Sequence, residues 1–192
     1  MEATSAIDRV PEEPSVLDDD RLAVAARTDA AAFGLLYERH VLRIFRYLRA
    51  RGASEDLAGD VTAATFERAL RHINSYRADR SGFSAWLVGI ARNAWIDEQR
   101  RSKGDVDLAE ASTLAVAGRS PEDVAIAADE RRALLALVAT LPETSRDALA
   151  LRYAAGLTSR EIGQVIGKSE AATKKLLTRS LVSLKEATRH DR

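Results

Sequence analysis

From Leu157 to Leu184 the chain carries a pattern that few folds can accommodate. Thr158 stands at an N-cap position and Glu161, three residues on, can reach back to it, a capping box that opens a short helix with Ile162, Val165 and Ile166 on one side. Gly167 ends that helix. Ser169 can cap a second one, in which Leu176, Leu177, Leu181 and Leu184 form an apolar stripe while Glu170, Thr173, Lys174, Thr178 and Arg179 fall largely elsewhere. Two short helices joined by a glycine-containing turn, the second basic on its free face, read as a helix-turn-helix. The start of the second helix, Ser169 to Lys175, supplies a cationic, small-residue end suited to a major groove, where a helix N-terminus also attracts phosphate. An ordinary helical hairpin with a solvated face would look the same in isolation, so the neighbouring segments must decide.

Upstream, helical periodicity continues and strand signals are absent. A first helix is expected around Leu17–Arg27, and Thr28 can cap a second that carries Phe33, Leu36, Tyr37, His40, Val41, Ile44, Tyr47 and Leu48 up to Gly52. A third runs from about Ser54 to Ile73. Asn74–Gly82 is a polar loop, and a fourth helix from Phe83 to about Arg101 buries Phe83, Trp86, Leu87, Ile90 and Ala94 before a basic end extended by Lys103. His40 lies on a core stripe, and Asp97 is spaced for an ion pair or hydrogen bond with Asn93 or Arg100. Ser120–Pro121 restarts helix after a Gly-punctuated acidic stretch, Pro142 breaks it, and Glu143–Ala154 precedes the helix-turn-helix.

The formal net charge of zero conceals a segregation: residues 1–20 hold seven acids and one base, 21–103 fifteen bases and nine acids, 104–128 five acids and one base, 129–192 twelve bases and eight acids. Two basic segments, each preceded by an acidic one, fit two nucleic-acid-facing bodies with an acidic tail and tether. The expected architecture is therefore all-α: a disordered acidic tail (1–19), a helical domain (20–103), a flexible linker (104–119) and a helix-turn-helix domain (120–192). The chain has no cysteine, and its three histidines lie far apart, so thiolate chemistry is excluded and neither a metal nor a cofactor is expected. No apolar run approaches the ~20 residues of a membrane span and the N-terminus lacks a signal-peptide pattern, which predicts a cytoplasmic protein with no membrane insertion of its own.

The run Phe83-Ser-Ala-Trp-Leu-Val-Gly-Ile-Ala-Arg-Asn, followed by Ile96-Asp97 and Arg100-Arg101, resembles a pattern of the bacterial sigma-70 family, in particular the small extracytoplasmic-function (ECF) sigma factors. Asp60–Ala69 resembles that family's core-polymerase-binding helix. Leu141-Pro142, Arg146, Leu151-Arg152-Tyr153, Gly156-Leu157 and Glu161-Ile162 match its second domain, and the resemblance covers about residues 20–103 and 120–187. Departures are Gly59, Ala63 and Ala64 in the first domain, and Gly163 and Thr173 in the helix-turn-helix, where neither adds bulk between the two helices. No further domain is expected after Arg192.

The resemblance implies a factor that binds core RNA polymerase, through its large-subunit clamp and flap, and directs it to promoter DNA at -10 and -35 elements. It implies Asp60, Thr65, Phe66, Glu67, Arg68 and Arg71 at the polymerase, with Tyr76, Arg77, Arg80, Arg92, Asn93, Arg100, Arg101 and Lys103 at the -10 element. Tyr76, Arg77 and Arg80 suit a flipped-out base and its phosphates. For the -35 element it implies Arg160, Lys168, Ser169, Glu170, Thr173, Lys174, Lys175 and Arg179. An anti-sigma factor wedged between the domains is a further expected partner. The competing class is a stand-alone helix-turn-helix repressor or activator, which predicts tight palindromic operator binding without polymerase. An enzyme is disfavoured, because the carboxylate groups Glu55–Asp56 and Asp18–Asp20 lack a histidine, a glycine-rich loop or a metal set around them.

Overall fold

In the computed structural model, which describes residues 18–78, 81–102 and 133–190, each helix begins and ends for a local reason. Asp18 caps α1 (Asp19–Ala25) by accepting from the Asp20 N–H. Asp29, not the expected Thr28, caps α2 (Ala30–Ala50), its carboxylate 2.8 Å from the Ala31 nitrogen. The Asp29 carboxylate, one residue further on, accepts from the orphan N–H groups of the first turn. Ser54 caps α3 (Glu55–His72), which tightens into a 3-10 turn over Ile73–Ser75. After the loop comes α4 (Phe83–Ser102). Residues 133–139 are helical (α5), followed by α6 (Glu143–Tyr153), α7 (Ser159–Ile166) and α8 (Glu170–His190). No strand occurs among the described residues. The linker expected over 104–119 and the start of the helix expected from Ser120–Pro121 lie outside the described residues, and α5 is the end of that helix.

The first module packs α1 to α4 around Leu36, Ile44, Leu48, Phe66, Phe83 and Leu87, all at most 4% exposed. Of the expected α4 stripe, Phe83, Leu87 and Ala94 are buried and Trp86 and Ile90 are half-buried against the core, while the buried face extends further to Ala85, Val88, Ala91 and Trp95. Asp19, the last residue of the expected tail, and Asp20, the first of the expected domain, form the first turn of α1 and anchor it. Asp19 meets Arg39 and the buried His40, and Asp20 accepts from the Tyr76 hydroxyl and from the Phe83 N–H at 2.8 Å. Three successive acids mark a charged tail only if their partners are out of sequence view, and these partners lie 20 to 63 residues away.

In the second module α6, α7 and α8 bury Leu151, Leu157, Ile162 and Leu177. The expected capping box is present: the Glu161 carboxylate accepts from the Thr158 N–H at 2.8 Å and Thr158 Oγ1 accepts from the Glu161 N–H. Gly167 adopts φ of 70°, the left-handed turn that only glycine takes at little cost, and stops α7. Gly163 lies in α7 where α8 crosses, and a Cβ there would stand 2.5 Å from the Lys168 carbonyl oxygen. This contact sets how closely the two helices approach. The modules touch each other through α4 against α7 and α2 against α6.

Candidate nucleic-acid interface

The second helix of the helix-turn-helix, the candidate recognition helix, is α8. Ser169 Oγ accepts from the Ala172 N–H, and Thr173 Oγ1 donates to the Ser169 carbonyl at 3.0 Å, so the first turn is tied down. Ser169, Glu170, Lys174, Lys175 and Arg179 are exposed on α8, with Arg160 and Lys168 exposed beside them on α7 and the turn. Lys174 Nζ lies 2.8 Å from the Glu170 carboxylate, whose pKa is held below its ordinary value by that hydrogen bond. Thr173, expected to read base edges, is fully buried and faces Gly163 instead. It belongs to the packing between α7 and α8, because helical spacing puts it on the same face as Leu177 and Ser180, also buried. Ala171 and Ala172, which the sequence reading did not single out, are exposed beside Ser169. Their small side chains allow close approach to base edges and thymine methyls, and their position two or three residues after the cap is the signal that could have found them.

In the first module the basic candidates separate. Asn93, Arg100 and Arg101 are exposed along α4, Arg101 pairing with Glu98 at 3.0 Å. Arg77 is exposed and its guanidinium donates to the Asn74 and Tyr76 carbonyls, stiffening the loop. Arg80 and Lys103 lie outside the described residues. Tyr76, expected to stack on a base, is a core residue: its ring is wholly buried, 5.7 Å edge-on from Phe83 and 5.3 Å from Trp86. Burial and then the hydrogen bond it donates to Asp20 push its phenol pKa well up. The cause of the misreading is that a tyrosine in a polar loop carries no sequence mark of the apolar cluster beneath it. Arg92 is half-buried, its Nε donating to Asp147 of α6.

On α3, Asp60, Glu67 and Arg71 are exposed on one side beside Leu70, which is 51% exposed. Arg68 is half-buried and meets Asp97 at 3.7 Å, so Asp97 does form an ion pair, with a partner on another helix. Thr65 and Phe66, expected at the polymerase, are instead buried in the module's core, Thr65 Oγ1 donating to the Val61 carbonyl at 2.6 Å. They share the stripe with Val61, Thr62 and Ala69, and α3 presents to the outside the face that starts at Asp60. Among the described residues no group of histidines and carboxylates could hold a metal ion, and no helix is long and apolar enough to cross a membrane.

Two helical modules, one ending in an exposed basic helix and the other in a helix-turn-helix, define the class: an all-α, two-module helix-turn-helix protein. Its sequence matches Sigma-70 region 2 over residues 36–104 and Sigma-70, region 4 over residues 131–184. It is 31% identical to the ECF RNA polymerase sigma factor SigM of Bacillus subtilis over 150 residues, spanning 78% of this chain and 91% of SigM. To the ECF RNA polymerase sigma factor BldN of Streptomyces coelicolor it is 35% identical over 158 residues, 81% of this chain but 60% of BldN. Its fold is similar to that of CnrH in complex with the cytosolic domain of CnrY, with a TM-score of 0.68, 25% identity, and coverage of 91% of this chain and 99% of that one. The chain belongs to the sigma-70 family, among its extracytoplasmic-function RNA polymerase sigma factors.

Proposed function

We propose that this chain binds core RNA polymerase through the outer face of α3 and brings it to promoters by setting α4 on the -10 element and α8 on the -35 element. The observation that carries the reading is the division of exposed cations between two separate helical modules, Arg100 and Arg101 on one and Lys168, Lys174, Lys175 and Arg179 on the other. Each module alone offers few phosphate contacts, so affinity for DNA depends on joining both to the polymerase. On α3 the charged residues Asp60, Glu67 and Arg71 flank exposed Leu70, an arrangement suited to a protein partner: an apolar centre with a polar rim.

At the -35 element, Lys174 and the exposed alanines would face base edges while Lys168, Lys175 and Arg179 hold phosphates. At the -10 element, Asn93, Arg100 and Arg101 line α4, and Arg77 holds the loop beside it. A partner seated between the modules, as an anti-sigma factor would be, would block both DNA surfaces together. DNA footprinting with core polymerase tests the reading. Two separate protected patches upstream of a transcription start, each lost on omission of either protein, are the expected result. Tight protection of a palindrome by the chain alone would favour a repressor and refute it.

A further inference from the structure

We propose that α1 is a positioning element for promoter recognition: a single carboxylate oxygen of Asp20 joins the two ends of the loop between the 3-10 turn and α4, and thereby sets which bases that surface accepts. The inference rests on the reading of α4 and its adjoining loop as the -10 surface. Asp20 Oδ1 accepts from the Tyr76 hydroxyl at 2.5 Å and from the Phe83 N–H at 2.8 Å. Tyr76 follows the 3-10 turn and Phe83 begins α4, so the bonds of one atom close the segment between them. Arg27, just past the other end of α1, donates to the Tyr76 carbonyl at 2.8 Å, and Arg77 donates to the same carbonyl at 2.9 Å.

The need for Asp20 comes from α4 itself. The Gly82 carbonyl accepts from the Trp86 N–H, which puts Gly82 at the cap position, where it has no side chain to bond the free N–H groups of the first turn. Asp20 supplies from another helix the carboxylate that a local cap would have supplied, and its charge complements the positive end of the α4 dipole. Arg43 of α2 adds a bond to Ser84 Oγ at 2.6 Å. The start of α4 is therefore held from α1 and α2. Helix α1 is itself well seated, with Leu22, Ala23 and Ala26 buried where it packs on α2, α4 and the 3-10 turn. It lies before the stretch that matches Sigma-70 region 2, which begins at residue 36, so the match assigns Asp20 and Arg27 no role.

Core packing alone does not call for this junction. The Tyr76 ring meets Phe83 and Trp86, and a phenylalanine would fill the same space; the hydroxyl adds direction. A base turned out of the stack has to find its pocket already formed, because every loop residue ordered on binding subtracts from affinity and a slack loop lets different bases settle in different shapes. Groups that read a base have to be held within about 0.5 Å of their working geometry. Arg77, exposed where the loop begins, and the first turn of α4 are the parts that the Asp20 junction fixes.

A promoter library randomised at the -10 and -35 elements, transcribed by core polymerase with the full chain and read by sequencing the transcripts, separates positioning from stability. Tyr76→Phe and Asp20→Ala are expected to lower the ratio of best to worst base at the most discriminating -10 position by about fivefold, with the -35 preferences unchanged. Asp20→Asn, which keeps Oδ1 as acceptor, is expected to retain the parental ratio. The Phe83 amide should exchange faster in Asp20→Ala than in the parent or Asp20→Asn. A merely structural role would lower transcript yield and leave the base ratios alone, and that result in Tyr76→Phe overturns the proposal. Equal flattening at both elements, or an Asp20→Asn that behaves like the alanine variant, overturns it as well. Should Asp20→Ala fail to fold, Tyr76→Phe decides alone. Transcripts that do not depend on the parent protein would sink the proposed function and this inference with it, whereas dependent transcripts with unchanged ratios in the variants sink the inference only.

Discussion

Gly163 shows how much one side chain can decide. Its missing Cβ leaves room for the Lys168 carbonyl oxygen, 2.5 Å from where a methyl would sit, and for Thr173 Oγ1 at 3.2 Å. Gly163→Ala should therefore lower the stability of the second module by about 1–3 kcal/mol, the usual cost of overpacking, despite alanine's better helix propensity. Chemical denaturation checks this, and an unchanged midpoint would show that the turn yields freely. Asp19 makes a different prediction. The hydrogen bond from His40, reinforced by that from Arg39 against the opposing effect of burial, holds its carboxyl below the ordinary 3.8. A depressed carboxyl stabilises the fold above its unfolded value and loses that contribution as pH falls through the folded one. Asp19→Asn should accordingly flatten the acid limb of the stability profile below about pH 4, read from urea midpoints across pH. At the DNA surface, Lys174→Ala should weaken promoter binding by the polymerase complex. If Lys174 holds a phosphate the slope of log affinity against log salt flattens by roughly 0.9, and if it reads a base the slope stays while discrimination falls.

Among the elements, α7 depends most on its cap, since an eight-residue helix gains little from propagation. Thr158→Ala should cost about 1 kcal/mol and loosen the start of the helix-turn-helix, measurable as faster amide exchange over α7. This element was legible from residues alone, because capping box, glycine stop and second cap are local signals that need no knowledge of packing. The face each helix turns outward was less legible. Thr173, Thr65 and Phe66 fell on candidate surfaces because the family resemblance carried their roles over position by position, whereas which side of a helix is buried depends on the helix packed against it. Tyr76 and Asp20 were obscured similarly, their bond joining residues 56 positions apart. The exposed cations of α4 and α8 were recoverable because a cluster of charges at a helix end seldom has anywhere to go but solvent.

For the molecule as a whole, the acidic residues divide into those that build and those that repel. Residues 1–17 contribute Glu2, Asp8, Glu12 and Glu13 against Arg9, while Asp18, Asp19 and Asp20 cap and anchor α1. Deleting 1–17 should strengthen DNA binding by the free protein at low salt, whereas extending the cut through Asp20 should destabilise the first module. Identical salt titrations for the chain and the shorter deletion would remove the N-terminal residues from the electrostatic account. The central claim is that two helical modules act at separate promoter elements while the first also holds the polymerase. Run-off transcription with core polymerase on genomic fragments tests it most directly: the account predicts discrete transcripts that require this protein and fall when Lys174 or Arg100 is replaced by alanine, and core polymerase giving the same transcripts with and without the protein would contradict it.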